Sequence, residues 1–121
     1  MLNLSSVMIG TKQVDVMGKF YEGVIGKPAD MSEGGWYGWS IGNAYLTVGE
    51  HSEMGGMAKD PGRIMFNFET DDVQADFERI MKVEGAKEIK APYSMGDDGD
   101  MWIATIADPD GNYFQLNSPW K

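Results

Sequence analysis

Residues 107–116 read Ala107-Asp108-Pro109-Asp110-Gly111-Asn112-Tyr113-Phe114-Gln115-Leu116, and the fold is read outward from this stretch. Pro109 suits the second position of a turn, because its ring presets φ, and Gly111 suits a left-handed position that most side chains resist. The segments on either side, 101–107 and 113–117, are rich in strand-forming residues, so the whole reads as a hairpin. Alternation along the last strand sets Tyr113, Gln115 and Asn117 against Phe114 and Leu116. One face of that strand is therefore apolar and the other polar and aromatic.

Upstream of the hairpin, residues 87–93 read as a further strand and 63–69 as an earlier one. Between them Thr70 or Asp71 can cap a helix reaching about residue 84, with Val73, Phe77, Ile80 and Met81 as its apolar stripe and Gly85 as its stop. The first half of the chain has the same order. A strand over 4–10 leads to Thr11 as a helix cap, then to a helix over 12–25 carrying Val14, Met17, Tyr21 and Val24 on one face, stopped by Gly26 and Pro28. A short strand near 29–32 and two strands within 36–49 around Gly42-Asn43 complete the set. Thr11, Val14, Val24 and Gly26 recur at one constant offset as Thr70, Val73, Val83 and Gly85, and Gly42-Asn43 recurs as Gly111-Asn112. The economical reading is a duplicated βαβββ unit of the α+β class. It predicts one domain over 1–121, with module one at 1–50, a Gly/Pro-rich linker at 51–62 and module two at 63–121.

Composition narrows the function classes. The 121 residues hold 10 Lys and Arg against 19 Asp and Glu, a net charge of −9, which repels a phosphate backbone or an anionic lipid surface. Nucleic-acid and membrane partners are not expected, and no apolar run approaches the roughly 20 residues that cross a bilayer. Without a basic start and apolar core typical of a leader, a cytoplasmic location is the default expectation. Cysteine is absent, which excludes disulfides, thiolate nucleophiles and Cys-ligated zinc. His51 is the single histidine, and Glu50-His51 with Glu53 is a poor metal cluster because three ligands in four loop residues have no scaffold. Asp97, Asp98 and Asp100 faintly resemble a calcium loop but lack its terminal glutamate.

Three segments together resemble the glyoxalase/bleomycin-resistance/dioxygenase superfamily, also called vicinal oxygen chelate proteins. They are Phe20-Tyr21 followed by Gly26, then Asp71-Asp72-Val73, and above all Ala107 through Leu116. The resemblance implies paired βαβββ modules whose strands curl as a mixed sheet around a ligand cleft, shared between modules or across a homodimer. In catalytic members of that superfamily His or Glu at four strand positions holds a divalent metal that polarises neighbouring substrate oxygens. Those positions fall here on Ser6, Tyr45, Met65 and Gln115, none of which is a good ligand for a hard cation. The expectation is no cofactor, with a divalent metal disfavoured.

Alternation supports a polar cleft face independently: Ser6 and Met8 oppose Val7 and Ile9, while Met65, Asn67 and Glu69 oppose Ile64, Phe66 and Phe68. The expected ligand-binding set is Ser6, Trp39, Tyr45, Met65, Asn67, Glu69, Trp102, Tyr113 and Gln115, with Trp39 and Trp102 chosen from the four tryptophans as stacking walls. Met54, Met57 and Met95 are candidates for an adaptable rim. No catalytic residue is assigned. The leading function is a metal-independent small-molecule-binding protein that sequesters a cationic or aromatic compound. One rival is a lyase, isomerase or dioxygenase with a displaced or absent metal, using Glu69 and Tyr113 as acid and base. Another is a non-catalytic partner-binding domain. Open sheet edges make a homodimer the expected assembly.

Overall fold

A computed structural model describes residues 1–51, 53–96 and 99–119. The chain forms two compact units, Met1–Gly56 and Met57–Lys121, each a four-stranded mixed sheet with one helix. In the first, β1 (Ser6–Thr11) leads to α1 (Val14–Ile25), followed by β2 (Met31–Glu33), β3 (Trp36–Ile41) and β4 (Ala44–Glu50). The spatial order is β1-β4-β3-β2, with β1 parallel to β4 and the other pairs antiparallel. The β3–β4 hairpin closes on Ile41 opposite Ala44, and Gly42 takes the positive φ of 56° that this two-residue connection requires.

Met17, Phe20, Tyr21 and Val24 of α1 are buried, as are Ile9, Trp39, Leu46 and Val48 on the sheet. Two polar hooks tie helix to sheet: the Tyr37 hydroxyl donates to Asp15 Oδ1 at 2.8 Å, and Trp39 Nε1 donates to the Lys27 carbonyl at 3.1 Å. Thr11 is not the helix cap expected of it. It ends β1 as a buried residue whose Oγ1 accepts from the Gln13 amide at 3.0 Å, and Gln13, the residue at the cap, makes no side-chain capping bond.

The second unit runs β5 (Phe66–Glu69), α2 (Val73–Ile80), β6 (Lys87–Met95), β7 (Met101–Ala107) and β8 (Tyr113–Asn117), in spatial order β5-β8-β7-β6. Strand β5 again lies parallel to the last strand of its unit. Its core sets Val73, Phe77 and Ile80 with Ala104, Ile106, Phe114 and Leu116, and Phe114 stacks on Phe66 at 5.7 Å while meeting Phe68 edge-on at 5.6 Å. Asp72 caps α2 by accepting from the Ala75 amide at 3.0 Å, and Thr70 Oγ1 accepts from the Asp72 amide at 3.1 Å. The helix stops earlier than its pattern predicts. Lys82, Val83 and Ala86 each bond back three residues, to Arg79, Ile80 and Val83, which winds residues 81–86 into tight turns ending at Gly85 with φ of 96°. Strand β6 is longer than expected and irregular. Its register on β7 slips between Glu88 and Lys90 and again before Tyr93, which accommodates Pro92 on an edge strand.

The duplication is visible at atomic level. Thr11 and Thr70, equivalent by sequence, accept a hydrogen bond from the amide two residues on, and Gly26 and Gly85 both take positive φ. Among the described residues no helix is long and apolar enough to cross a membrane.

Candidate functional site

Each helix covers one face of its sheet and leaves the other face to the candidate site residues. In the first unit, register places Ser6 beside Tyr45, Gly38 beside Thr47 and Trp36 beside Gly49, all on the face opposite Leu46 and Val48. Three glycines lie on this open face and each has a neighbour laid against it. A Cβ on Gly49 would stand 2.9 Å from the Trp36 indole, one on Gly38 would stand 2.6 Å from the Tyr45 hydroxyl, and one on Gly10 would stand 3.2 Å from Met54. The Trp36 and Tyr45 side chains therefore lie low over the sheet, and the open face has an aromatic floor. Trp36 stays 36% exposed, so part of it remains available for a partner.

On the second sheet the open face carries Asn67 and Glu69 on β5, Tyr113, Gln115 and Asn117 on β8, and Ile103 and Thr105 on β7. Gln115 Nε2 donates to Thr105 Oγ1 at 3.1 Å, one strand over. Lys90 and Tyr93 extend the face on β6, with the Lys90 ammonium 5.4 Å from the Tyr93 ring centre. Met65 is half-buried and immediately precedes β5, two residues before Asn67.

The Asp108-to-Asn112 turn closes one end of this face. Asp108 is 3% exposed and its carboxylate is absorbed by the turn: Oδ1 accepts from the amides of Asp110 and Asn112 at 2.9 Å each, and Oδ2 accepts from Asn112 Nδ2 at 2.9 Å. It is a structural staple. Tyr113 beyond it lines two hollows of about 300 and 440 Å³, the first shared with Met57 and Lys87 and the second with Arg63.

Two electrostatic perturbations belong to the first unit. The Ser40 amide, 2.7 Å from Asp30 Oδ2, is the main cause holding Asp30 below the usual carboxylate range, with Lys27 assisting. The hydrogen bond to Asp15 pushes the Tyr37 phenol above its ordinary value. Both tie α1 and its C-terminal end to β3, away from the open face.

Two expected site residues are elsewhere. Trp39 pairs with Leu46, is fully buried and spends its N–H on the Lys27 carbonyl, so it belongs to the core beneath α1. Trp102 alternates with Ile103 and shares the side of Ala104 and Ile106; it is only half-buried, but off the face of Thr105 and Gln115. Trp36 takes the place expected of Trp39. The signal was present, since a turn at Gly42-Asn43 puts Trp36 with Gly49 and Trp39 with Leu46, opposite Tyr45. Asn117 was legible in the alternation as an open-face residue. Its burial, at 5% exposure, was not.

The metal test turns on the donor set. Ser6 and Tyr45 supply neutral hydroxyls, Met65 a soft thioether and Gln115 a neutral amide carbonyl, and Glu69 is the only carboxylate among these open-face residues. Such a set does not fit a hard divalent ion. Among the described residues no cluster of three or more His, Asp or Glu could hold a metal, and His51 Nδ1 accepts from the Glu53 amide at 3.3 Å. The run of Asp97 and Asp98 lies outside the described residues, as does Trp120.

Two βαβββ units, each with a helix on one face and aromatic or amide groups on the other, define a paired-βαβββ, α+β protein. The Glyoxalase-like domain family model matches residues 6–117, and the chain belongs to that family. A glyoxalase/bleomycin resistance protein from Albidiferax ferrireducens T118 is similar in structure, with a TM-score of 0.76 at 18% identity over 95% of this chain and 98% of that one. A glyoxalase/bleomycin resistance protein/dioxygenase family enzyme from Burkholderia phytofirmans PsJN also gives 0.76, at 25% identity over 97% of this chain and 98% of the other. A glyoxalase-related enzyme from Fulvimarina pelagi reaches 0.78 at 14% identity, over 98% and 89%. No curated protein matches the chain.

Proposed function

We propose that this glyoxalase-like chain binds small aromatic cations on the open face of a sheet and does so without a divalent metal. The observation that carries this reading is the substitution of neutral and soft groups at Ser6, Tyr45, Met65 and Gln115, with Gln115 held by Thr105. Each face by itself offers recognition chemistry instead: the low-lying Trp36 and Tyr45 on the first sheet, and on the second the amides of Asn67 and Gln115, the phenol of Tyr113 and the charge of Glu69. A net charge of −9 raises the local concentration of cations and speeds their encounter.

The test is a titration of the chain with (2-naphthylmethyl)trimethylammonium, a flat aromatic cation without N–H groups, followed by tryptophan fluorescence with and without EDTA. Saturable quenching unaffected by EDTA is expected. Trp36→Ala should weaken binding by about 2- to 30-fold, the equivalent of a stacking contact of roughly 0.5–2 kcal/mol. Binding or turnover that appears only on adding nickel, zinc, iron or manganese would overturn the metal-independent reading.

A further inference from the structure

We propose that the open face of the second sheet holds a recognition point for a nitrogen cation that still bears N–H hydrogens, such as a primary ammonium or an amidinium. Its two parts are the Asn117 amide oxygen and the Glu69 carboxylate. The proposal rests on the small-molecule reading above and specifies the chemistry of the ligand.

Asn117 is 5% exposed, and its Nδ2 donates to the Ser118 carbonyl at 2.8 Å. That bond sets the amide orientation, because the flipped amide would bring two acceptors together. Asn117 Oδ1 is then left buried, and it accepts no hydrogen bond from any described residue. An acceptor in this state has lost the bonds water gave it in the unfolded chain, and buried polar atoms in folded proteins seldom go without a partner. Its flanks say what is missing. Glu69 pairs with Asn117 across the parallel ladder and Ile103 pairs with it across the antiparallel one, so all three side chains leave the same face.

Ile103 is apolar and supplies no donor. Glu69 is exposed, and no hydrogen bond or ion pair is made to its carboxylate by the described residues. An unpaired neutral acceptor and an uncompensated carboxylate thus stand on adjacent strands, about 4.8 Å apart at the backbone. A group that is positively charged and donates at least two hydrogens answers both. A primary ammonium offers three N–H groups and an amidinium four. A quaternary ammonium answers the charge alone, and a carboxylate ligand would add an acceptor where two already lack donors. Oδ1 is closed to a group the size of water, so a donor reaches it only when a neighbouring side chain gives way, and once there it competes with little water, which strengthens the preference.

Calorimetry on the full chain separates the cases, using 2-naphthylmethylammonium and its N,N,N-trimethyl analogue as probes. The ammonium should bind about 10- to 100-fold more tightly than the trimethyl form, the range of a hydrogen bond to a charged donor. Asn117→Leu should reduce that ratio to less than about 3-fold and leave the trimethyl affinity little changed. Glu69→Gln should weaken both cations, and circular dichroism reports whether each variant is folded. Should Asn117→Leu fail to fold, Asn117→Ala takes its place, with the same fall in the ratio expected. Equal affinity for the two probes overturns this assignment while the small-molecule reading stands. A preference that survives both substitutions overturns it as well, because the donor is then read elsewhere. If neither cation binds at millimolar concentration, this assignment and the aromatic-cation reading fall together.

Discussion

The two units share a scaffold and differ on the faces that their helices leave bare. Strands β1, β3 and β4 carry Gly10, Gly38 and Gly49, all on the open side and all covered by a larger side chain. Strands β5 to β8 contain no glycine, and their open side sets amides, hydroxyls, the Lys90 ammonium and the Glu69 carboxylate around Ile103. A strand glycine leaves a hollow that a neighbouring ring can fill, so the first sheet holds its rings low. Upright polar side chains on the second sheet reach across strands instead, as Gln115 does to Thr105. The two units agree on the helix side, where both pack apolar side chains, and differ in chemistry on the other.

The largest expected effect tests the shared, packed side. Phe114 is fully buried against Phe66 and Phe68, so Phe114→Ala should cost about 3–5 kcal/mol in urea unfolding. A loss under about 1 kcal/mol would mean that the second core is loosely packed, and the comparison would break at its foundation.

The two hairpin turns give the next contrast. Asp108 uses a buried carboxylate to hold its own turn, whereas the turn at Gly42-Asn43 shows no side-chain hydrogen bond among the described residues. Asp108→Ala should cost about 2–4 kcal/mol by the usual worth of hydrogen bonds to a charged group, and Asn43→Ala less than about 0.5 kcal/mol. Thermal melting of the two variants side by side measures the difference, and equal losses would refute it.

Helix starts differ in the same direction by a smaller amount. Asp72→Ala removes a capping bond that the start of α1 does not have, and should cost about 1 kcal/mol in urea unfolding.

The smallest effect is a pH dependence in the first unit. The Tyr37 phenol is raised in the folded state by its bond to Asp15, so that bond contributes fully below the unfolded phenol value of about 10 and is lost as pH rises through the higher folded value. Asp30 has the opposite sign: its carboxylate is lowered on folding, so its contribution holds above the unfolded value and fades as pH falls through the folded one. Urea unfolding of the unmodified chain between pH 8 and 11 should show a loss that Tyr37→Phe abolishes. A loss of the same size in Tyr37→Phe would assign it to other groups.

Much of this was legible in the residues alone. Val73, Phe77 and Ile80 fall at helical spacing, Pro109 and Gly111 mark a turn, and Tyr113, Gln115 and Asn117 alternate with Phe114 and Leu116, because helix and strand periods are local properties of the backbone. The constant offset between Thr11 and Thr70 likewise disclosed the repeat of the βαβββ order. Element ends were less legible. The stop of α2 at Ile80 depends on three backbone bonds competing with the helical ladder, and the stripe of apolar residues carries no record of that competition.

Which tryptophan faces the open side follows from the register that the Gly42-Asn43 turn sets, but only the tertiary structure shows what each indole packs against. Trp36 and Trp39 are equally plausible as letters, and the choice is made by pairing with Gly49 or with Leu46 and by the Lys27 carbonyl waiting beneath α1. Trp102 was misplaced for the same reason, since a half-buried edge and an open face look alike until neighbouring strands are in register. Burial of Asn117 with one oxygen unpartnered is likewise a property of packing around the strand, not of the strand. The sequence by itself determined the periods, the turns and the repeat, because each depends on residues close in the chain. The tertiary structure decided packing partners and satisfaction, because these depend on which distant residues come to lie within a hydrogen bond's reach.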